Sequence, residues 1–188
     1  MTTGIILLAA GRSQRFGSDK RCTPWPGQEC MFRTSLTNAV QSGLPVFVVL
    51  HPGDSDILNH CVRDEVQASI CPDADKGIGN SIAYGVHTNQ DWSGWIIARA
   101  DMPFVTPGIY RQLAASLKDH DCARLADRMD HCGFPTALRR EHAFNLMHLN
   151  GHVTEESLLK GHDCARISVD DPIILRDVNF PSDIPEAV

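Results

Sequence analysis

The sequence predicts an α/β fold, a three-layer sandwich whose mostly parallel central sheet carries helices on both faces. Three observations predict it. Apolar, β-rich runs alternate with helical patterns along the first 120 residues, and that β-α-β-α order implies a parallel sheet with crossover helices. The 188-residue chain is 43% hydrophobic and 21% charged, enough apolar material for a sizeable core and too little charge for disorder. The two stretches richest in chemistry, Ala9–Lys20 and Asp101-Met102-Pro103, both follow strands, where open α/β sheets bind ligands.

The elements follow in order. Gly4–Leu8 reads as a buried strand, Met31–Gln41 as a helix closed by Ser42-Gly43, and Pro45–Leu50 as a second strand. Asp54–Glu65 reads as a helix with Asp54 as N-cap, Gln67–Cys71 as a short strand, Gly79–Thr88 as a helix and Gly94–Arg99 as a strand. Thr106-Pro107 opens a helix to about Lys118, with Thr at the N-cap and Pro at the first helical position. Beyond residue 120 the pattern loosens. Cys122–Ala126 and Phe134–Leu138 read as strands with Asp130–Gly133 as the turn between them. Arg140–Leu149 and Thr154–Lys160 read as helices, and Ala165–Val169 and Ile173–Leu175 close the sheet. The pentapeptide His-Asp-Cys-Ala-Arg occurs at 120–124 and 162–166, too short a match to define a repeat. No linker interrupts the chain, so residues 1–188 read as one domain, with halves of about 1–110 and about 111–188.

Composition excludes several classes. The net charge of −6 argues against a nucleic-acid partner, which wants a basic face. No apolar run approaches about 18 residues, so no membrane span is expected. Met1–Gly4 lacks a basic leader, so the first apolar run is a strand and not a signal peptide. Seven cysteines without a C-x-x-C pair fit free thiols in a reducing, cytoplasmic setting. His120, Cys122, His131 and Cys132 do not form a common zinc pattern. Cys22, beside Arg21 and near Lys20, is expected to carry a somewhat acidic thiol. The three tryptophans, Trp25, Trp92 and Trp95, suit either a core or a partner surface.

The loop Leu7–Lys20, LLAAGRSQRFGSDK, places small residues after a strand and cations after those. It is not a P-loop, which needs G-x-x-x-x-G-K-[ST], nor a dinucleotide fingerprint, which needs G-x-G-x-x-G. Small side chains let backbone N–H groups approach phosphate oxygens. Arg15 offers a planar fork to two oxygens and Lys20 a point charge. The pattern L-A-A-G-x-S-x-R-F-G-x-x-K, borne by Leu8, Ala9, Ala10, Gly11, Ser13, Arg15, Gly17 and Lys20, resembles the signature loop of nucleotidyltransferases related to molybdenum cofactor cytidylyltransferase and guanylyltransferase. The strand-end sequence Arg99-Ala100-Asp101-Met102-Pro103-Phe104-Val105 resembles that family's G-D-M-P-F-V, with Ala100 in place of the glycine. Pro72–Val86 resembles its N-x-x-x-x-G-M-G-S-S-L-x-x-G-L.

The resemblance implies a Rossmann-like fold of the nucleotide-diphospho-sugar transferase type and Mg²⁺-dependent nucleotidyl transfer. Leu8, Ala9, Ala10, Gly11, Arg12, Ser13, Arg15, Lys20, Gly79, Asn80 and Ser81 would bind the nucleotide. Arg15, Lys20 and Asp101 would be the catalytic set, with Arg15 and the loop amides on the β- and γ-phosphates and Lys20 at the α-phosphate. Asp101 would hold Mg²⁺ with Asn179, which stands where the family's C-terminal motif has aspartate. Arg99 shares a strand face with Asp101 and pairs with it or senses phosphate. Leu-Ala-Ala-Gly is the cytidylyltransferase form of the loop, whereas guanylyltransferases read Leu-Ala-Gly-Gly, so Ala10 favours CTP over GTP. The acceptor side departs from the pattern: Phe134 replaces the histidine of G-H-P, and Gly151–Leu159 lacks the arginine of G-D-x-G-A-R-x-L-L. His131, His152 and Arg140 are candidates to compensate. The implied acceptor is molybdopterin, with a transient molybdoenzyme partner. GTP as donor, a sugar or alcohol phosphate as acceptor, and a non-catalytic cofactor-delivery protein stand as alternatives.

Overall fold

The structure, a computed structural model, describes residues 2–12 and 16–185. Its strands are β1 (Thr3–Leu8), β2 (Val46–Leu50), β3 (Gln67–Ile70), β4 (Gly94–Arg99), β5 (Cys122–Ala126), β6 (Cys132–Arg139) and β7 (Cys164–Ser168). Its helices are α1 (Met31–Val40), α2 (Ser55–Arg63), α3 (Ile78–Thr88), α4 (Pro107–Ser116) and α5 (Ala143–Met147). Among the described residues the strands form one sheet in the order β3-β2-β1-β4-β6-β5-β7. Only β6 runs antiparallel, against β4 on one side and β5 on the other.

Alternation along the strands builds the two core layers. Ile5 and Leu7 face a cluster with Phe32 and Leu36 of α1, Ile57 of α2, and Tyr110 and Leu113 of α4. Ile6 and Leu8 face the opposite cluster, with Ile82 and Val86 of α3 and Leu146 of α5. Both faces of the sheet are therefore covered, which is why the central strands read as unbroken apolar runs. Full burial of each such side chain contributes roughly 1.5–3 kcal/mol. All three tryptophans belong to buried clusters, so none serves a partner surface.

β1 pairs with β2 on one side and with β4 on the other. The chain moves outward from β1 through β3 and then returns to start again at β4, which makes the β1/β4 border the topological switch point, the expected place for a ligand crevice. Leu8 pairs with Arg99 there. The Ala100 N–H donates to Leu8 O at 3.0 Å, and the Ser35 hydroxyl to Ala100 O at 2.8 Å. These bonds hold the two strand ends, and the loops that leave them, side by side.

The second half differs from the sequence reading in four places. Ile173–Leu175 adds no strand: Pro172–Leu175 is a 3-10 turn, begun by Pro172 and capped by the Asp171 carboxylate on the Ile173 N–H at 2.9 Å. Cys132 and Gly133 belong to β6, and the turn before it is closed by Asp127, whose carboxylate accepts from the Met129 and His131 N–H groups at 2.8 and 2.9 Å. Arg140–Leu149 is a 3-10 turn followed by the short α5, and Thr154–Lys160 shrinks to a 3-10 turn at Glu155–Leu158. In the first half, Asp54 stands at the head of α2 without capping it through its side chain. The two His-Asp-Cys-Ala-Arg copies lie next to each other in register, Cys122 against Cys164 and Arg124 against Arg166. His120 pairs with Asp163 at 2.9 Å and His162 with Asp121 at 3.7 Å across them.

Candidate functional site

A cleft of about 440 Å³ opens at the β1/β4 border. Leu8, Ala9, Ala10, Gly11 and Arg12 line one side, Lys20, Asp101 and Asn179 another, and Ser81 lies at the head of α3. The structure thus gathers residues from four distant segments of the expected set. Ser13 and Arg15 lie outside the described residues.

The charged centre forms at the end of β4. Lys20 Nζ sits 2.6 Å from Asp101 Oδ2 and donates to Val178 O at 2.8 Å. Arg99 reaches the same Asp101 oxygen at 2.9 Å and Asp177 at 2.6 Å with its other terminal nitrogen. β4 ends at Arg99 and Asp101 lies in the turn that follows, so their pairing comes from the turn and not from strand alternation. Burial works against the charge on Arg99, but Asp101 and Asp177 outweigh it and raise its pKa. Burial pushes the Asp177 carboxyl up, more than Arg99 pulls it down. The Val178 N–H donates to Asp101 O at 2.9 Å, which ties the C-terminal segment to this centre.

Arg21 was not foreseen as part of the site. Its side chain is 8% exposed and lies between two carboxylates. It holds Asp19 through Nε at 2.8 Å and Nη2 at 2.5 Å. It holds Asp54 through Nη1 at 2.6 Å and Nη2 at 2.8 Å, and donates to Ala9 O. Burial opposes its charge, yet the two carboxylates hold its pKa above the ordinary arginine value. Asp54 also accepts from the His51 N–H at 2.8 Å. Beyond it, Arg12 lies 3.0 Å from both His51 Nε2 and Asp75 at the rim. Asp19-x-Arg21 is visible as a short-range pair in the sequence. Nothing in the sequence signals that Asp54, 33 positions on, completes the clamp.

The head of α3 behaves differently from the expectation. Gly79 and Asn80 do not line the cleft. The Gly79 N–H donates to Gly151 O at 2.9 Å, and Asn80 Oδ1 accepts from the Gly151 N–H at 2.8 Å. A Cβ on Gly77 would stand 2.2 Å from Gly151 O, and Gly77 adopts φ +133°, so glycine is required there. These residues dock α3 against the 150–153 loop, while Gly77, Ile78 and Ser81 face the cleft.

Phe134, where the sequence departs from the family pattern, lies under Arg99, whose guanidinium carbon is 5.7 Å from the ring centre. Of the three candidate compensators, His152 lines the cleft. Arg140 donates to Trp92 O at 3.1 Å, at the opposite end of β4. His131 pairs with Asp127 at 2.9 Å on the exposed β5–β6 turn. Glu155, 1% exposed, stands beside Thr136 of β6. Burial pushes its carboxyl up to about 7, and its Oε2 has no partner among the described residues. The expectation of an acidic Cys22 fails: desolvation and the Asp19 carboxylate raise its thiol pKa against the pull of Arg21. All seven cysteines are free thiols, and no cluster of three metal-ligating His, Cys, Asp or Glu side chains occurs among the described residues.

The centre suits a hard divalent cation. Asp101 Oδ2 holds Lys20 and Arg99, whereas Oδ1 is buried without a hydrogen-bond partner among the described residues. An orphaned carboxylate oxygen and the amide of Asn179 on one cleft form an oxygen donor set, with water and phosphate oxygens to complete it. No helix among the described residues is long and apolar enough to cross a membrane.

A mostly parallel sheet with a cleft at its switch point, bordered by small residues after β1 and by a carboxylate after β4, defines an α/β protein with its candidate site at the carboxyl ends of the strands. The MobA-like NTP transferase domain matches residues 5–167, and the chain belongs to that nucleotidyltransferase family. Solved structures share the fold. The chain resembles the Rv0371c protein of Mycobacterium tuberculosis H37Rv with TM-score 0.85 and 21% identity over 97% of this chain and 95% of that one. A manganese complex of the same protein matches with TM-score 0.77 and 19% identity over 91% and 90%. A nucleotidyl transferase from Methanothermobacter thermautotroptrophicus matches with TM-score 0.81 and 19% identity over 97% and 94%. A CMP:2-keto-3-deoxy-manno-octonic acid synthetase complexed with CTP matches with TM-score 0.76 and 14% identity over 97% and 95%. No functionally curated protein matches by sequence.

Proposed function

We propose that the protein transfers CMP from CTP to the phosphate of a molybdopterin acceptor and releases pyrophosphate, with Mg²⁺ as the working cation. The observation that carries this reading is the buried Oδ1 of Asp101, without a hydrogen-bond partner among the described residues and set in the same cleft as Ala9-Ala10-Gly11 and Lys20. Asp101 and Asn179 would hold the metal, which when bound would screen the charge of the triphosphate. The 9–12 loop borders the triphosphate, with Arg15 on its outer phosphates. Lys20 supplies positive charge at the α-phosphate. An acceptor phosphate oxygen attacks the α-phosphorus in line, the bond to the bridging oxygen breaks, and pyrophosphate carries the electrons away. That phosphate is already ionised at neutral pH, so no general base is needed. The residues act by position and charge.

Ala10 lines the cleft, and its methyl supports CTP over the larger GTP. The manganese and CTP complexes of similarly folded proteins support a divalent ion and a nucleoside triphosphate. Residues 1–110 would serve the nucleotide and 111–188 the acceptor, with a molybdoenzyme as recipient of the product. Phe134, apolar and covered by Arg99, favours a second reading in which the acceptor is a sugar or alcohol phosphate. Pyrophosphate release is to be measured with Mg²⁺, each of the four nucleoside triphosphates, and molybdopterin or a sugar phosphate. CTP with molybdopterin should give the fastest release. Tight cofactor binding without release from any triphosphate would overturn the enzyme reading in favour of a delivery protein.

A further inference from the structure

Beside the cleft lies a second depression of about 380 Å³, lined by Leu175, Arg176, Asp177, Asn179, Phe180 and Asp183. Asn179 borders both concavities. Arg99 spans the same junction: one terminal nitrogen meets Asp101 in the cleft, and the other meets Asp177 in the depression. We propose that Arg99 is the residue that grips the acceptor's phosphate, with the rest of the acceptor seated in the depression against Phe180. This assignment rests on the transferase reading above and names the contact it leaves open.

Three features support it. A guanidinium has five donors in a fixed fork, and the two carboxylates occupy only part of that fork. The Phe134 ring beneath Arg99 holds the plane of the guanidinium without competing for its donors. Arg99 keeps 28% of its side chain exposed, unlike the buried Arg21, so an anion can reach it. A phosphomonoester at Arg99 would sit at the edge of the cleft that holds the triphosphate. Its ester group would point into the depression, where Phe180, 51% exposed, offers an apolar face.

The test uses the full chain and inorganic phosphate as probe, by titration calorimetry, with and without saturating CTP and Mg²⁺. Wild-type protein should bind phosphate while CTP is bound. Arg99→Gln should weaken phosphate by about tenfold or more and leave CTP affinity within about threefold. Asp177→Asn should tighten phosphate several-fold, because it releases one arm of Arg99; this opposite sign separates recognition from misfolding, as does Arg99→Lys, which should retain part of the affinity. Unchanged phosphate affinity in Arg99→Gln, or a larger loss for CTP than for phosphate, would overturn the assignment. So would weaker phosphate binding in Asp177→Asn, or CTP-bound wild type that takes no phosphate. Wild type that binds no nucleoside triphosphate would instead defeat the transferase reading, and the nucleotide-free titrations of the two variants would then decide Arg99 by the same signs.

Discussion

Two arginines flank the cleft, and each lies between two aspartates. Arg21 holds Asp19 and Asp54, and Arg99 holds Asp101 and Asp177. Their chemistry is alike and their burial is not: the side chains are 8% and 28% exposed. Arg21 also donates to Ala9 O, so it fastens the loop after β1 to the loop after β2. It builds the wall. Arg99 stands at the open junction of the cleft and a second depression, with one face on Phe134. A buried ion pair costs much to break and contributes little net stability over an apolar equivalent. The same pair at an edge is available to a ligand. Position thus divides two identical triads into a structural and a functional one.

The largest effect should fall on activity. Asp101→Asn removes charge where the metal and Lys20 would meet, and should lower pyrophosphate release by about 10³-fold, measured at a temperature where the variant is folded, since Lys20 and Arg99 lose their shared buried carboxylate. Full turnover in that variant would remove Asp101 from the chemistry. The opposite partition is expected for Arg21→Met, which leaves Asp19 and Asp54 facing each other without their cation. Stability should drop by about 3–5 kcal/mol, read by urea denaturation. A loss under 1 kcal/mol would make Arg21 a surface pair and erase the contrast with Arg99.

Glu155 tests the acceptor side through pH. Its carboxyl is raised from its ordinary 4.5 to about 7 in the folded protein, so folding favours the protonated form. The stability from this group is fully present below pH 4.5 and is lost as pH rises through 7. Glu155→Gln should therefore match wild type near pH 4 and exceed it by roughly 3 kcal/mol at pH 8; parallel stability curves would show that Glu155 is ionised throughout. On the nucleotide side, Ala10→Gly should shift the GTP-to-CTP ratio of kcat/KM by about tenfold toward GTP. An unchanged ratio would take base selection away from Ala10. The smallest effect is expected from Asn179→Asp, which adds one negative oxygen ligand. Mn²⁺ affinity, followed by electron paramagnetic resonance, should rise by up to about tenfold, and no gain would place Asn179 outside the metal's reach.

Much of the cleft's lining was legible because its residues are contiguous. Leu8–Arg12 and Lys20 leave one strand together, and Asp101 ends a strand that the apolar run Gly94–Ala98 announces. Gly79 and Asn80 looked like part of that lining and instead secure α3 to Gly151, a long-range contact that local pattern does not reveal. The surroundings of Arg99 were less legible because Phe134, Glu155 and Asp177 come from separate segments. Arg140 was credible by residue type, but the direction of β6 carries it to the far end of the sheet.

The sequence by itself determined the layered α/β architecture and the small-residue run that borders the cleft, since apolar runs, small residues and caps act over a few positions. The strand order, with β4 returning beside β1, and the antiparallel β6 came only from the tertiary structure. The pairing of Asp54 with Arg21 and of Asp177 with Arg99 came from it too. Those outcomes depend on which faces are buried together and on which charges are desolvated side by side, and neither quantity belongs to any short stretch of chain.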